Sequence, residues 1–295
     1  FDVGPLSAGT HVVAATGVTD KVSKGQLLRV GADGAMVAIV TLVTPTDGAL
    51  AAVAAAPDGA AACGRRAVGD GGDRGWLVGV DSKLALRWQR LVWGNEVSAC
   101  TALATRPAGG WFGAGHGMAD GVLRPLVFAT NGAGRPLWTR QLAGAGGLAG
   151  AHALADGVAV VGMAMGADSA KASLTRLSAD GRTLLAQQVD LGASYSAWSQ
   201  IGLGADGRLL LVGLASENFV SGPQHGVVWR ADPWGHAACA EAGKCGAVMA
   251  KACADGDGCT DETCGAASGC VITPHASACE DGKACSVGGS CVAGK

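Results

Sequence analysis

Along the first 240 residues, short apolar runs alternate with glycine-bearing polar breaks at a nearly fixed interval. Gly9, Gly59, Gly109, Gly157 and Gly207 are spaced 50, 50, 48 and 50 apart, and four of them end the phrases PDG, PAG, ADG and ADG. A second series runs out of phase with the first. LLRVGADGAMVAIV, WLVGVDSKLALRWQ, PLVFATNGAGRPLWT, SLTRLSADGRTLLAQ and VVWRADPWGHAAC align around their central turns. Asp-Gly or Asn-Gly between apolar runs is a strong hairpin signal, and self-similarity at this period predicts a repeat architecture. Helices are not expected, because Gly and Asp-Gly interrupt the alanine runs every few residues.

Each unit holds four strands. In the third they are VSACTALAT, WFGAGHG, RPLVFAT and RPLWTRQL, with tight turns at each end of the unit and a long variable loop between the second and third. Four short antiparallel strands per repeat of this length predict the blade of an all-β propeller. The first strands, such as LAAVAAA and LAGAHALA, are made of small residues that fit a crowded axis, whereas Trp88 and Trp138 fall in fourth strands, where blades widen. About five blades result, at roughly 1–47, 48–95, 96–147, 148–194 and 195–235, followed by a separate segment at 236–295. A closed five-bladed ring and a larger ring lacking its first blades both satisfy the pattern.

Cysteine usage separates the two parts. Cys63 and Cys100 stand alone in the first 238 residues, on neighbouring strands of adjacent units by this register, as two buried thiols or as a bridge between blades. Cys239, Cys245, Cys253, Cys259, Cys264, Cys270, Cys279, Cys285 and Cys291 crowd the tail, which has few large apolar residues. Such density predicts a disulfide-stapled, loop-rich module in an oxidising, extracellular or cell-surface setting. Nine is an odd number, so one cysteine is expected to find a partner outside the set. The paired close spacings of a structural zinc site are missing. Calcium is the stronger metal candidate: Asp255, Asp257 and Asp261 occupy the first, third and seventh positions of an EF-hand-like count, although Cys259 and Ala266 stand at the fifth and twelfth.

The repeat units resemble the secreted bacterial β-propeller repeats of consensus apolar-x-Arg-Leu-Asp-x-Asp-Gly-x-x-x-Trp, related in shape to quinoprotein propellers. The tail phrase DGDGCTDETCGAASGC, through Gly256, Asp257, Gly258, Cys259, Thr260, Asp261, Cys264, Gly269 and Cys270, resembles the DGNPCTxDxC-type cysteine-rich repeats of bacterial surface proteins. EDGKACSVGGSC is similar to a second, decayed copy. The resemblance implies a structural or adhesive role without catalysis.

A net charge of −2 gives no reason to expect nucleic acid or an anionic membrane as partner. No apolar run is long enough for a spanning helix, and a start at Phe1 reads as a processed or truncated product. GxSxG, HExxH and GxxxxGKS motifs are missing, and GAGRPL at 132–137 reads as a turn. A propeller glycosidase needs two carboxylates facing across the axis. The predicted inner strands carry essentially none; Glu96 only precedes one, while Ser98, His152 and Trp198 are candidates to line the channel. The expectation is therefore a non-enzymatic surface protein with no cofactor, calcium being the one metal candidate, joining protein partners or further copies through its tail. The alternatives are a lectin-like propeller and, after it, a glycosidase or quinoprotein. A binding face would carry Arg65, Arg66, Asp73, Trp93, Asn95, Tyr195, Asn218, Phe219 and His225, whose aromatic and amide groups suit sugar or peptide.

Overall fold

The computed structural model describes residues 2–6, 9–19, 22–42, 44, 46–69, 72–93, 97–217 and 223–232, together with the backbone of four short strands in the tail. All regular structure among these residues is β. Blade 1 is a sheet of β1 (Asp2–Pro5), β2 (His11–Thr19), β3 (Val22–Val30) and β4 (Met36–Thr41). Blade 2 follows with β5 (Gly48–Ala56), β6 (Gly59–Ala67), β7 (Asp73–Asp81) and β8 (Leu86–Val92). Blade 3 has β9 (Ser98–Thr105), β10 (Trp111–Ala119), β11 (Val122–Thr130) and β12 (Pro136–Gln141). Blade 4 has β13 (Ala145–Leu154), β14 (Gly157–Met165), β15 (Ala170–Ser178) and β16 (Thr183–Val189). Blade 5 has three described strands, β17 (Tyr195–Leu203), β18 (Leu209–Ser216) and β19 (Gln224–Ala231), and joins blade 4 through one parallel pair, Ala170 with Tyr195. The chain is of β-propeller type.

The turn chemistry explains why the repeat is visible. In blades 2, 3 and 4 the side chain of the residue that opens the third-to-fourth-strand turn accepts hydrogen bonds from amides further along. Asp81 Oδ1 accepts from the amides of Lys83 (2.8 Å) and Ala85 (2.9 Å), and Asn131 Oδ1 from Ala133 (3.1 Å) and Arg135 (3.0 Å). The fourth-strand tryptophans then lap onto the next blade's turn. The Trp88 ring lies 2.4 Å from where a Cβ on Gly134 would sit, so any side chain there collides with it. Trp138 does the same at Gly181 and donates from Nε1 to the Ala179 carbonyl at 2.8 Å. The second-to-third-strand loops are not uniformly long. In blade 3 only Asp120 and Gly121 separate β10 from β11, both at positive φ (52° and 72°), as a twist-matched two-residue hairpin requires.

A second glycine series lies inside the blades. Each first strand from blade 2 to blade 5 carries a β-bulge, which leaves Ala51, Thr101, Ala149 and Ser199 outside the pairing register. The bulge pushes the carbonyl just before it toward the second strand. A Cβ on Gly115 would lie 2.0 Å from the Ala99 oxygen, and Gly64, Gly162 and Gly213 face the same obstruction. Blade 1 has Ala15 at this position, one residue past its last described pair, Asp2 with Ala14.

Four cores sit between blades rather than within them. Leu50 and Val53 of β5 bury Ala14 and Leu27 of blade 1. Cys100 and Leu103 of β9 cover Cys63 and Leu77, Leu148 of β13 covers Ala114 and Val127, and Trp198 and Ile201 of β17 cover Val161 and Leu174. Cys63 and Cys100 are joined as a disulfide with Cα atoms 5.6 Å apart, so the bridge between blades, not the pair of thiols, is the outcome. The tail shows two small hairpins, β20 (Thr260–Gly265) with β21 (Gly269–Pro274) and β22 (Ala278–Cys279) with β23 (Gly289–Ser290).

Candidate functional site

The axis is lined by small, already engaged groups. Thr101 at the bulge donates to the carbonyl of Leu148 in the next blade (2.5 Å). Asp2 is the only carboxylate in the described inner strands, and its two oxygens accept from the amides of Val3 (2.9 Å) and Val53 (3.0 Å). Ser98 is buried and accepts from the Gly75 amide at 3.0 Å, and Ser196 does the same for Ala172 at 2.9 Å. Both serines clamp one blade to the next instead of facing a channel. Trp198 belongs to the core between blades 4 and 5, stacked on Trp229 with centroids 5.8 Å apart. His152 is half-buried, and desolvation holds its imidazole below the usual histidine range.

Polar groups gather instead where β14 turns into β15 and where β16 leads to β17. Met165, Gly166, Ala167, Asp168, Ser169, Ala170 and Ser194 line a cleft of about 270 Å³. Its walls are clamped by backbone bonds, Gly166 N to Ser169 O (2.7 Å) and Ala170 N to Ser194 O (3.1 Å). Beside it Lys171 Nζ donates to Asp190 Oδ1 (3.2 Å) and to the Ala193 carbonyl (2.8 Å), which fixes the chain leading into Ser194. The cleft thus offers one carboxylate, two hydroxyls and a thioether on a braced frame.

The residues predicted for a binding face separate. Tyr195 opens β17 next to the cleft, its hydroxyl 3.8 Å from Met163 Sδ. His225 is exposed on β19 of the same blade. Trp93 lies at the junction of blades 2 and 3, edge-on to Phe128 at 5.0 Å and packed over Gly75. Arg65 and Asp73 pair across β6 and β7, and Arg66 adjoins them in β6. Asn95, Asn218 and Phe219 lie outside the described residues, as do Asp255 and Asp257 of the calcium count. Asp261 lies in β20 opposite Thr273, and Cys264 opposes Cys270 across the same hairpin. Cys279 lies in β22, while Cys239, Cys245, Cys253, Cys259, Cys285 and Cys291 fall outside the described residues. Sequence reasoning missed Asp168, Ser169 and Ser194; the one available signal was the polar phrase GADS between two apolar strands.

No family profile and no curated protein matches the chain. Among solved structures it is similar to puromycin hydrolase, with 16% identity over 76% of this chain and 38% of that one and a TM-score of 0.47. It is similar to the Bombyx mori GH32 β-fructofuranosidase BmSUC1, with 9% identity over 78% and 59% of the two chains and a TM-score of 0.44. A thermostable family-43 glycoside hydrolase gives 10% identity, 78% and 88% coverage and a TM-score of 0.42. The chain thus spans less than two thirds of each of the first two. These propeller-type neighbours are mainly glycoside hydrolases, which runs against the expectation that the chain is no enzyme. That expectation rested on the resemblance to structural repeats, on missing catalytic motifs and on the missing pair of inner-strand carboxylates; the last argument reaches only a site on the axis and leaves the loop-face cleft with Asp168 untouched. At such identities the likeness itself is one of fold.

Proposed function

We propose that this chain is a carbohydrate-active propeller that engages a saccharide unit in the cleft between blades 4 and 5. The observation that carries the reading is the cleft's composition. Asp168 supplies a charged acceptor for sugar hydroxyls, Ser169 and Ser194 supply groups that both donate and accept, and Met165 supplies an apolar contact for a ring face. A volume of about 270 Å³ matches a single sugar ring better than an extended chain, so the remaining units of a glycan would lie across the open loop face. In a hydrolytic reaction Asp168 supplies one of the two carboxylates that glycosidic cleavage uses. An extracellular setting fits this role, and the Cys63–Cys100 bridge supports it. Calcium in the tail and protein partners there remain part of the proposal.

A glycan array and a panel of aryl glycosides test the reading together. Binding or turnover is expected on the array or panel. It should weaken roughly tenfold or more in Asp168→Asn, as losing a charged hydrogen-bond partner implies, with thermal unfolding unchanged. Filling the cleft with Ser194→Trp should abolish it. A protein that ignores every saccharide, or whose response survives both substitutions, would remove the proposal.

A further inference from the structure

Every junction between successive blades uses the same two surfaces. The leading blade presents a cross-strand pair from its second and third strands, such as Ala114 with Val127 or Val161 with Leu174, and these four residues are fully buried. The following blade presents a row from its first three strands. In blade 2 the row is Val53, Ala62 and Val78, and in blade 5 it is Ile201, Leu211 and Trp229. These rows lie in the interblade cores.

Two surfaces in the same registers are open. On blade 5 the pair equivalent to Val161 and Leu174 is Val212 and Val228, which are 42% and 67% exposed. Leu210 and Leu214 are exposed on either side of Val212 on the same strand face. On blade 1 the row equivalent to Val53, Ala62 and Val78 is Val3, Val13 and Leu28, continued by Ile39 on β4. Val3 and Ile39 are 51% and 48% exposed. One open surface is the leading half of the interblade contact and the other is the following half.

We propose that the open face of blade 5 docks the open face of blade 1 of a second copy of this chain, joining copies head to tail. The warrant is continuity with an interface that the chain already builds four times, in matching register and with the same kind of residue. Among the described residues, blade 1 leaves Val212 and Val228 of blade 5 exposed, and a second copy carries the complementary surface. Because the two patches differ, each added copy carries one open half forward. The assembly therefore closes into a ring or extends.

Sedimentation of the full 295-residue chain across micromolar concentrations tests this. The expected result is mass rising above that of one chain as concentration increases. Val212→Asp and Ile39→Asp, each on one open face, should each weaken association roughly tenfold or more, since each places a charge in an apolar contact. Both positions are exposed, so each variant should keep its circular dichroism. Mixed in equal amounts, the two variants retain one intact junction between them and should stop at a dimer. A single-chain mass at every concentration would overturn the proposal, and would point to a ring closed within one molecule or a face covered by its own tail. Association that survives both substitutions would overturn it as well.

Discussion

Blades 3 and 5 are built in the same register and live in different surroundings. In β10 and β11, Ala114 and Val127 are sealed under β13; in β18 and β19, their equivalents Val212 and Val228 face outward. Strand β10 is buried on both faces along most of its length, whereas β18 alternates buried and exposed residues. The two blades share the turn between their first two strands, the bulge and the interior glycine, so the geometry of these strands does not cause the difference. What differs is the presence of a neighbour. A blade is only half of a hydrophobic core, and its second face acquires a core when another sheet is laid on it.

The largest contrast should come from burying a charge. Val127→Asp is expected to destabilise the protein by about 4 kcal/mol or to prevent folding, because the carboxylate would be sealed without a partner. Val228→Asp in the matching row should shift unfolding by less than about 0.5 kcal/mol in dilute protein. Urea melts of both variants decide the point. Equal losses would mean that blade 5 is covered after all, and the comparison would fail.

A smaller effect is expected from glycine. Gly115→Ala drives a methyl group into the Ala99 carbonyl and should cost about 2 kcal/mol. Gly226→Ala, on β19 with nothing within 4 Å of the added carbon, should be neutral or slightly stabilising. Thermal melts of the pair isolate the steric term, because both substitutions lower backbone freedom in the unfolded chain alike.

The smallest effect concerns acid. His116 in β10 stands where blade 5 has Leu214, and burial lowers its affinity for a proton, as it does for His152. The unfolded chain, with histidines near the ordinary value of about 6.5, therefore takes up these protons first as pH falls. The stability they contribute is present above about pH 6.5 and is lost as pH drops toward the depressed folded values. The melting temperature should fall by about 2 °C or more between pH 7.5 and 5.5, and His116→Leu should flatten part of that slope. An unchanged slope would place the sensitivity elsewhere.

The sequence made the four-strand period legible because its turn residues do chemical work: Asp81 and Asn131 cap their own turns, and Trp88 and Trp138 need glycine in the next one. The interior glycines were not legible. A lone glycine in a strand reads as weakness, and nothing local to Gly115 reveals a bulge in β9 that aims a carbonyl at it. Cys63 and Cys100 were placed on adjacent blades, but pairing them needed the Cα separation that only packing sets. The cleft was hidden for a similar reason. Asp168 and Ser194 lie on separate connections, brought together by the single pairing of Ala170 with Tyr195.

The Cys63–Cys100 bridge also changes how the molecule would carry a load. A pull applied at the two ends of the chain runs along the backbone until it reaches Cys63, then crosses the sulfur bond directly to Cys100. The 37-residue detour through β7 and β8 is spared, and full extension is shorter by roughly 120 Å. Under such a load blades 2 and 3 would yield together as one mechanical unit, while the other junctions, held among the described residues by packing and hydrogen bonds, would part before it.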